Sequence, residues 1–140
     1  MLIACPHCHT LNRIATERLD DKPVCGQCKH ALFTGQPVDL TEASFARHAD
    51  KSELPLVVDF WASWCGPCKS FAPVFSQAAR DLEPRFRFAK VNTEQQQALA
   101  SRFAIRSIPT LMVIHQGKVL GQQAGALPQQ ALYQWLGQFR

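Results

Sequence analysis

Six cysteines fall into three C-x-x-C pairs, Cys5/Cys8, Cys25/Cys28 and Cys65/Cys68, with none left over. Two thiols at this spacing can close a disulfide reversibly, or they can supply two of the four thiolates of a tetrahedral metal site. The setting of each pair separates these chemistries. Cys5-Pro-His-Cys8 and Cys25-Gly-Gln-Cys28 lie sixteen residues apart, within the spacing of a four-cysteine zinc site. Cys65-Gly-Pro-Cys68 stands alone, just after the apolar run Leu54–Trp61 (LPLVVDFW) and at the start of an amphipathic stretch.

A dithiol where a buried strand gives way to a helix is suited to disulfide exchange. Cys65 would lie at the helix N-terminus, where unpaired N–H groups and the helix dipole favour a thiolate, the nucleophilic form in thiol–disulfide exchange. Cys68 follows one turn later, roughly 5–6 Å away, close enough for a disulfide to form with little backbone movement. Cys65 is thus the expected attacking thiol and Cys68 the expected resolving thiol.

The rest of the chain must position these groups. Residues 1–34 hold four of the cysteines, together with His7, His9 and His30, and show little apolar periodicity. This segment reads as a small zinc-ribbon-like module. It is joined through a Gly- and Pro-containing loop to a second region, 35–140. There, Val38–Leu40 reads as a short edge strand. A helix through about Ala49 is expected next, capped by Asp39 or Thr41, with Asp39 and Glu42 at capping-box spacing. Leu54–Trp61 reads as a strand buried on both faces, and Gly66–Leu82 as a helix carrying Pro73. Phe86–Val91 alternates like a strand, and Glu94–Phe103 reads as a helix. Thr110–His115 and Lys118–Gln122 form a hairpin about Gln116-Gly117, and Pro128–Phe139 is a closing helix. The order β-α-β-α-β-α-β-β-α implies an α/β fold, a mixed sheet covered by helices on both faces.

Several separated motifs in about 36–140 resemble the thioredoxin family: VVDFWA running into WCGPCK, Pro73, Lys90–Asn92 (KVN), Ser107–Thr110 (SIPT), Gly117 and Gly125. The resemblance implies a thioredoxin fold and a protein-disulfide reductase, since Gly66-Pro67 is the dipeptide of the reducing members. It also implies that Asp59 is the buried acid beneath the dithiol, able to take the proton of Cys68. Pro109 corresponds to a cis-proline that brings Ile108 and Pro109 beside the sulfurs, where the Ile108 backbone can pair with an extended substrate. Trp64 would flank the dithiol. Trp61 is open between core packing and site support, Lys90 between a partner of Asp59 and a solvated lysine, and Gly125 between a loop glycine and a point of close substrate approach. Ser63 departs from the residues common there.

For the N-terminal cysteines, a second redox centre is disfavoured because too few residues precede Cys5 to supply a supporting strand and acid. Two disulfides or four loose thiols are the plainer alternatives to zinc. A closed zinc site would supply much of the folding energy of so small a segment, and its negative charge would be offset in part by Arg13, Lys29 or His30. With this module included, the chain resembles the second bacterial thioredoxin class. That implies a cytoplasmic protein that uses NADPH indirectly, through thioredoxin reductase, acts on oxidised proteins and has a part in redox homeostasis and oxidative stress.

Composition narrows the rest. The formal net charge is +4, without a basic run that would point to nucleic acid. No apolar stretch approaches the roughly 20 residues of a membrane span, and the start of the chain does not read as a secretory signal. A monomer is expected. The competing readings are an oxidase or isomerase on the same fold, and a redox-regulated zinc protein with partner-binding or chaperone activity.

Overall fold

The computed structural model describes residues 1–139. Two short strands, β1 (Leu2–Ala4) and β2 (Leu11–Arg13), pair antiparallel at the start of the chain. The remaining strands are β3 (Val38–Asp39), β4 (Leu56–Trp61), β5 (Arg87–Asn92), β6 (Thr110–His115) and β7 (Lys118–Ala124). They form one sheet in the order β3-β5-β4-β6-β7, with β3, β5 and β4 parallel and β6 and β7 antiparallel to their neighbours. The helices are α1 (Gly66–Leu82), α2 (Gln97–Arg102) and α3 (Gln129–Leu136). This is the expected mixed sheet with helices on both faces.

Strand alternation divides the core in two. Leu56, Val58 and Phe60 of β4 pack with Ala89, Val91 and Met112 against Phe45 and Leu99. Val57, on the opposite face, packs with Phe88 and Leu111 against Phe71, Phe75 and Ala78 of α1 and Leu132 and Leu136 of α3. Because both faces of β4 are covered, its run from Leu56 to Phe60 is wholly buried, as its near-continuous apolar sequence requires. Asp59 shares the Val57 face, which α1 covers.

Three elements differ from expectation. The helix through Ala49 starts late, after a turn at 42–44: Phe45 and Ala46 are α-helical and the rest is a five-residue π-helical segment, Arg47–Lys51. Asp39 does not cap it, because Asp39 belongs to β3 and pairs with Lys90. Thr41 opens the turn instead: its N–H donates to Ser44 Oγ at 3.0 Å, and Ser44 N–H donates back to the Thr41 carbonyl at 3.2 Å. Glu42 is drawn away, accepting from Ala98 N at 3.2 Å. The α2 helix starts at Gln97 rather than Glu94 because Asn92 Oδ1 holds the N–H groups of Glu94 and Gln95, at 2.9 and 3.3 Å, in a side-chain turn. The β7 strand extends to Ala124. By contrast, α1 spans the expected residues and continues through Pro73.

Candidate active site and metal cluster

At the carboxyl end of β4 the chain turns through Ala62–Trp64 into α1. Cys65 is the N-cap residue of that helix, and its sulfur accepts from Cys68 N–H at 3.1 Å. This is the usual bond from an N-cap side chain to the third residue of the helix, made by sulfur in place of oxygen. Cys65 and Cys68 are joined as a disulfide with Cα atoms 5.3 Å apart. In the reduced form the same N–H and the positive end of the helix dipole would lie against a Cys65 thiolate. Gly66 and Pro67 open the helix, where the missing proline N–H costs no helical bond.

Three segments surround the sulfurs. The Ile108–Pro109 bond is cis, and the Ile108 carbonyl oxygen lies 3.8 Å from Cys65 Sγ. Gly125 N–H donates to the Pro109 carbonyl at 2.8 Å. Gly125 has φ +97°, and a Cβ placed on it would meet nothing within 4 Å, so the ground above it is open. Trp64 is 68 % exposed beside the nearly buried dithiol. Behind the site, Asp59 is fully buried, and neither carboxylate oxygen has a hydrogen-bond partner among the described residues. Burial pushes its pKa up to about 7, against the opposing pull of Lys90. Lys90 pairs in register with Asp59 across β4 and β5, while its ammonium lies 4.6 Å from the centroid of the Trp61 ring. Trp61 is half-buried, and its indole N–H has no partner among the described residues.

One contact at the site has no clear signal in the sequence. Glu94, in the loop after β5, accepts from both Ser63 N–H at 3.2 Å and Ser63 Oγ at 2.9 Å. The segment carrying Trp64 and Cys65 is therefore tied to that loop. Only the unusual serine at position 63 hinted at this.

The four N-terminal cysteines converge at the other end of the molecule. Their sulfurs all lie within 4.8 Å of one another, with Cys5–Cys28 and Cys8–Cys25 each at 3.6 Å. A tetrahedron of thiolates about zinc at about 2.3 Å has edges near 3.8 Å, so the donor set and its spacing fit that metal. The two knuckles are built alike. His7 N–H and Gln27 N–H each donate to the first cysteine sulfur of their pair at 3.3 Å. The residue after each pair, His9 or Lys29, adopts φ of 66° or 68°. Asn12 Nδ2 donates to Cys25 Sγ at 3.4 Å. Burial opposes ionisation of Cys25, but the backbone N–H of Cys28, the Asn12 amide and the backbone N–H of Gln27 outweigh it and bring its pKa down to about 6. The Lys29 ammonium donates to the Gly26 carbonyl at 2.8 Å, within the second knuckle.

Among the described residues no helix is long and apolar enough to cross a membrane. Residues 36–138 match the family model for thioredoxin, and residues 4–30 match the zinc-ribbon model described as thioredoxin 2, N-terminal. Thioredoxin C-3 of Corynebacterium nephridii is 42% identical over 138 residues, covering 99% of this chain and 94% of that one. Putative thioredoxin 2 of Streptomyces coelicolor is 47% identical over 103 residues, 74% of this chain and 75% of that one. Thioredoxin of Haemophilus influenzae is 39% identical over 99 residues, 71% of this chain and 92% of that one. A dithiol at the N-cap of α1, a whole-chain relative and two family models agree: the chain belongs to the thioredoxin family, as a disulfide oxidoreductase with a ribbon of clustered cysteines ahead of its catalytic fold.

Proposed function

We propose that the protein reduces disulfides in other proteins through Cys65 and Cys68, and is itself re-reduced by thioredoxin reductase with electrons from NADPH. The observation that carries this reading is the Cys65–Cys68 pair at the N-cap of α1, with the Ile108 carbonyl beside it. The Cys65 thiolate attacks one sulfur of a substrate disulfide, forming a mixed disulfide and releasing the first substrate thiolate. Cys68 then gives its proton to Asp59 and attacks Cys65 Sγ. The second substrate thiolate leaves, the substrate has gained two electrons, and Cys65–Cys68 is oxidised. With a pKa near 7, Asp59 suits that transfer at neutral pH. An extended substrate segment would pair with the Ile108 backbone and pass over Gly125, with Trp64 and Pro109 flanking it, while Lys90, Gly66 and Pro67 support the site.

The division we propose is a ribbon at 1–34 and a catalytic region at 35–140. Cys5, Cys8, Cys25 and Cys28 would hold one zinc ion, which when bound supplies folding energy to the ribbon. All four thiols are then committed to the metal, which leaves Cys65 and Cys68 as the exchanging pair. We place the protein in the reducing cytoplasm, where such a dithiol stays reduced and its part in redox homeostasis and oxidative stress would be played.

The test is NADPH oxidation in the presence of thioredoxin reductase and a disulfide-containing protein. The wild-type chain is expected to turn over, and Cys65→Ser to give no turnover. Undiminished turnover by Cys65→Ser would remove Cys65 as nucleophile.

A further inference from the structure

Arg87, the first residue of β5, is only 2 % exposed. Its guanidinium joins three segments that are distant in sequence. One nitrogen donates to the Ala4 carbonyl at 3.0 Å, on the residue directly before Cys5. Another meets Glu83 Oε2 at 3.0 Å. The guanidinium carbon lies 5.0 Å from the centroid of Phe33. The second oxygen of Glu83 accepts from Gly35 N–H at 2.9 Å. A single buried ion pair therefore fastens the strand leading into the cysteine cluster, the linker behind it, and the corner between α1 and β5.

A buried arginine–carboxylate pair is costly to desolvate and does little for stability on its own. The surroundings of this pair give it a reason to be ionic. Four thiolates around a divalent ion carry a net charge near −2, and the cluster begins at the residue after Ala4. Burial disfavours the guanidinium charge, while Glu83 and the Cys5 thiolate both favour it. Other ties lie on the same face. Glu53 N–H donates to the Leu2 carbonyl at 2.8 Å, and Leu2 N–H donates to the Glu53 carboxylate. His9 Nδ1 and His48 Nε2 are 2.9 Å apart. Arg87 alone among these ties brings a positive charge from the catalytic region against the segment that enters the cluster.

We propose that Arg87 is a positioning residue for the metal cluster, and that its guanidinium couples metal occupancy of the ribbon to the stability of the α1–β5 corner. The ribbon then acts as a metal-dependent clamp on the catalytic fold rather than an appendage on a tether. Linkage makes the coupling reciprocal: if bound metal stabilises the corner through Arg87, loss of Arg87 must loosen the metal. The inference rests on the reading that the four cysteines hold zinc.

The test uses the full chain loaded with zinc. Two quantities are followed: the rate of zinc release to a chromogenic chelator, and the unfolding midpoint with zinc bound and with zinc removed. Loss of an outer partner of a metal site typically weakens binding 10–100-fold. Arg87→Met is therefore expected to release zinc about tenfold faster or more, and the gap between loaded and stripped midpoints is expected to shrink. Arg87→Lys, which keeps the charge, is expected to recover part of both effects. Arg102→Met, which removes an exposed cation on α2, is expected to show neither effect and to behave as wild type. The double variant Glu83→Leu with Arg87→Met removes both buried charges together and so keeps the fold if the single variant loses it; it too is expected to release zinc faster. Wild-type release rates with an unchanged midpoint gap in the Arg87 variants would overturn the coupling while leaving the zinc reading intact. A wild-type chain that takes up no zinc would overturn the zinc reading, and the coupling with it.

Discussion

Asp59 is held where a carboxylate is poorly solvated, so its charge works against the fold. In the unfolded chain it loses its proton near pH 3.8, and in the folded chain near 7. Below about pH 4 it is neutral in both states and has no effect on stability. As pH rises from about 4 to 7 the unfolded state ionises first, and stability falls. The shift of roughly three units corresponds to a loss of up to about 4 kcal/mol above pH 7. Asp59→Asn is expected to match wild type in urea unfolding near pH 3.5 and to be more stable by a few kcal/mol near pH 8. The same variant should slow the resolving step, since Cys68 loses its proton acceptor. Equal stability of the two proteins near pH 8 would mean that Asp59 is solvated. Cys68→Ser is expected to accumulate mixed disulfides at Cys65, seen as a protein adduct on non-reducing gels.

At the scale of elements, the catalytic strand and helix were legible because their signals were strong and local. The apolar run of β4 admits only a strand covered on both sides, and WCGPC marks where α1 begins. The two helices that differ from expectation are those whose starts are set by side-chain hydrogen bonds. Ser44 and Asn92 capture backbone N–H groups that the sequence pattern assigns to helices. Arg87 and Glu83 were passed over because strand alternation reads the arginine of FRFAKV as a solvent-facing residue, whereas the ribbon buries it. The His9–His48 contact depends on the same tertiary packing and leaves no local trace. Another element-level contact can be tested by overpacking. A Cβ on Gly121 of β7 would lie 2.5 Å from Phe139 Cζ. Gly121→Ala is expected to displace that ring and lower stability by about 1–3 kcal/mol, measured by thermal or urea unfolding. The dithiol takes no part in this contact, so its exchange rate should be unchanged.

Across the whole molecule the two cysteine chemistries are kept apart. The ribbon packs where β4 begins, through Leu2 and Glu53, and where α1 ends, through Ala4, Arg87 and Glu83. The dithiol sits where α1 starts. The helix rises about 1.5 Å per residue over its seventeen residues, which places the two ends roughly 25 Å apart. Direct thiol exchange between ribbon and dithiol within one chain is therefore not expected. A chain beginning at residue 35 should retain the sheet and the dithiol, since neither main core cluster draws on residues 1–34. It would expose Arg87 and Glu83, and its unfolding midpoint should fall by several degrees. Complete unfolding would show that the ribbon is required for the core.

The central claim is that exchange with substrate passes through Cys65 alone while the other four thiols are held by metal. The most direct measurement is peptide mass mapping of the reduced, zinc-loaded Cys68→Ser variant after brief reaction with a disulfide-containing protein. The account predicts one substrate adduct per chain, located on Cys65, with Cys5, Cys8, Cys25 and Cys28 unmodified. Adducts on the N-terminal cysteines, or none on Cys65, would contradict it.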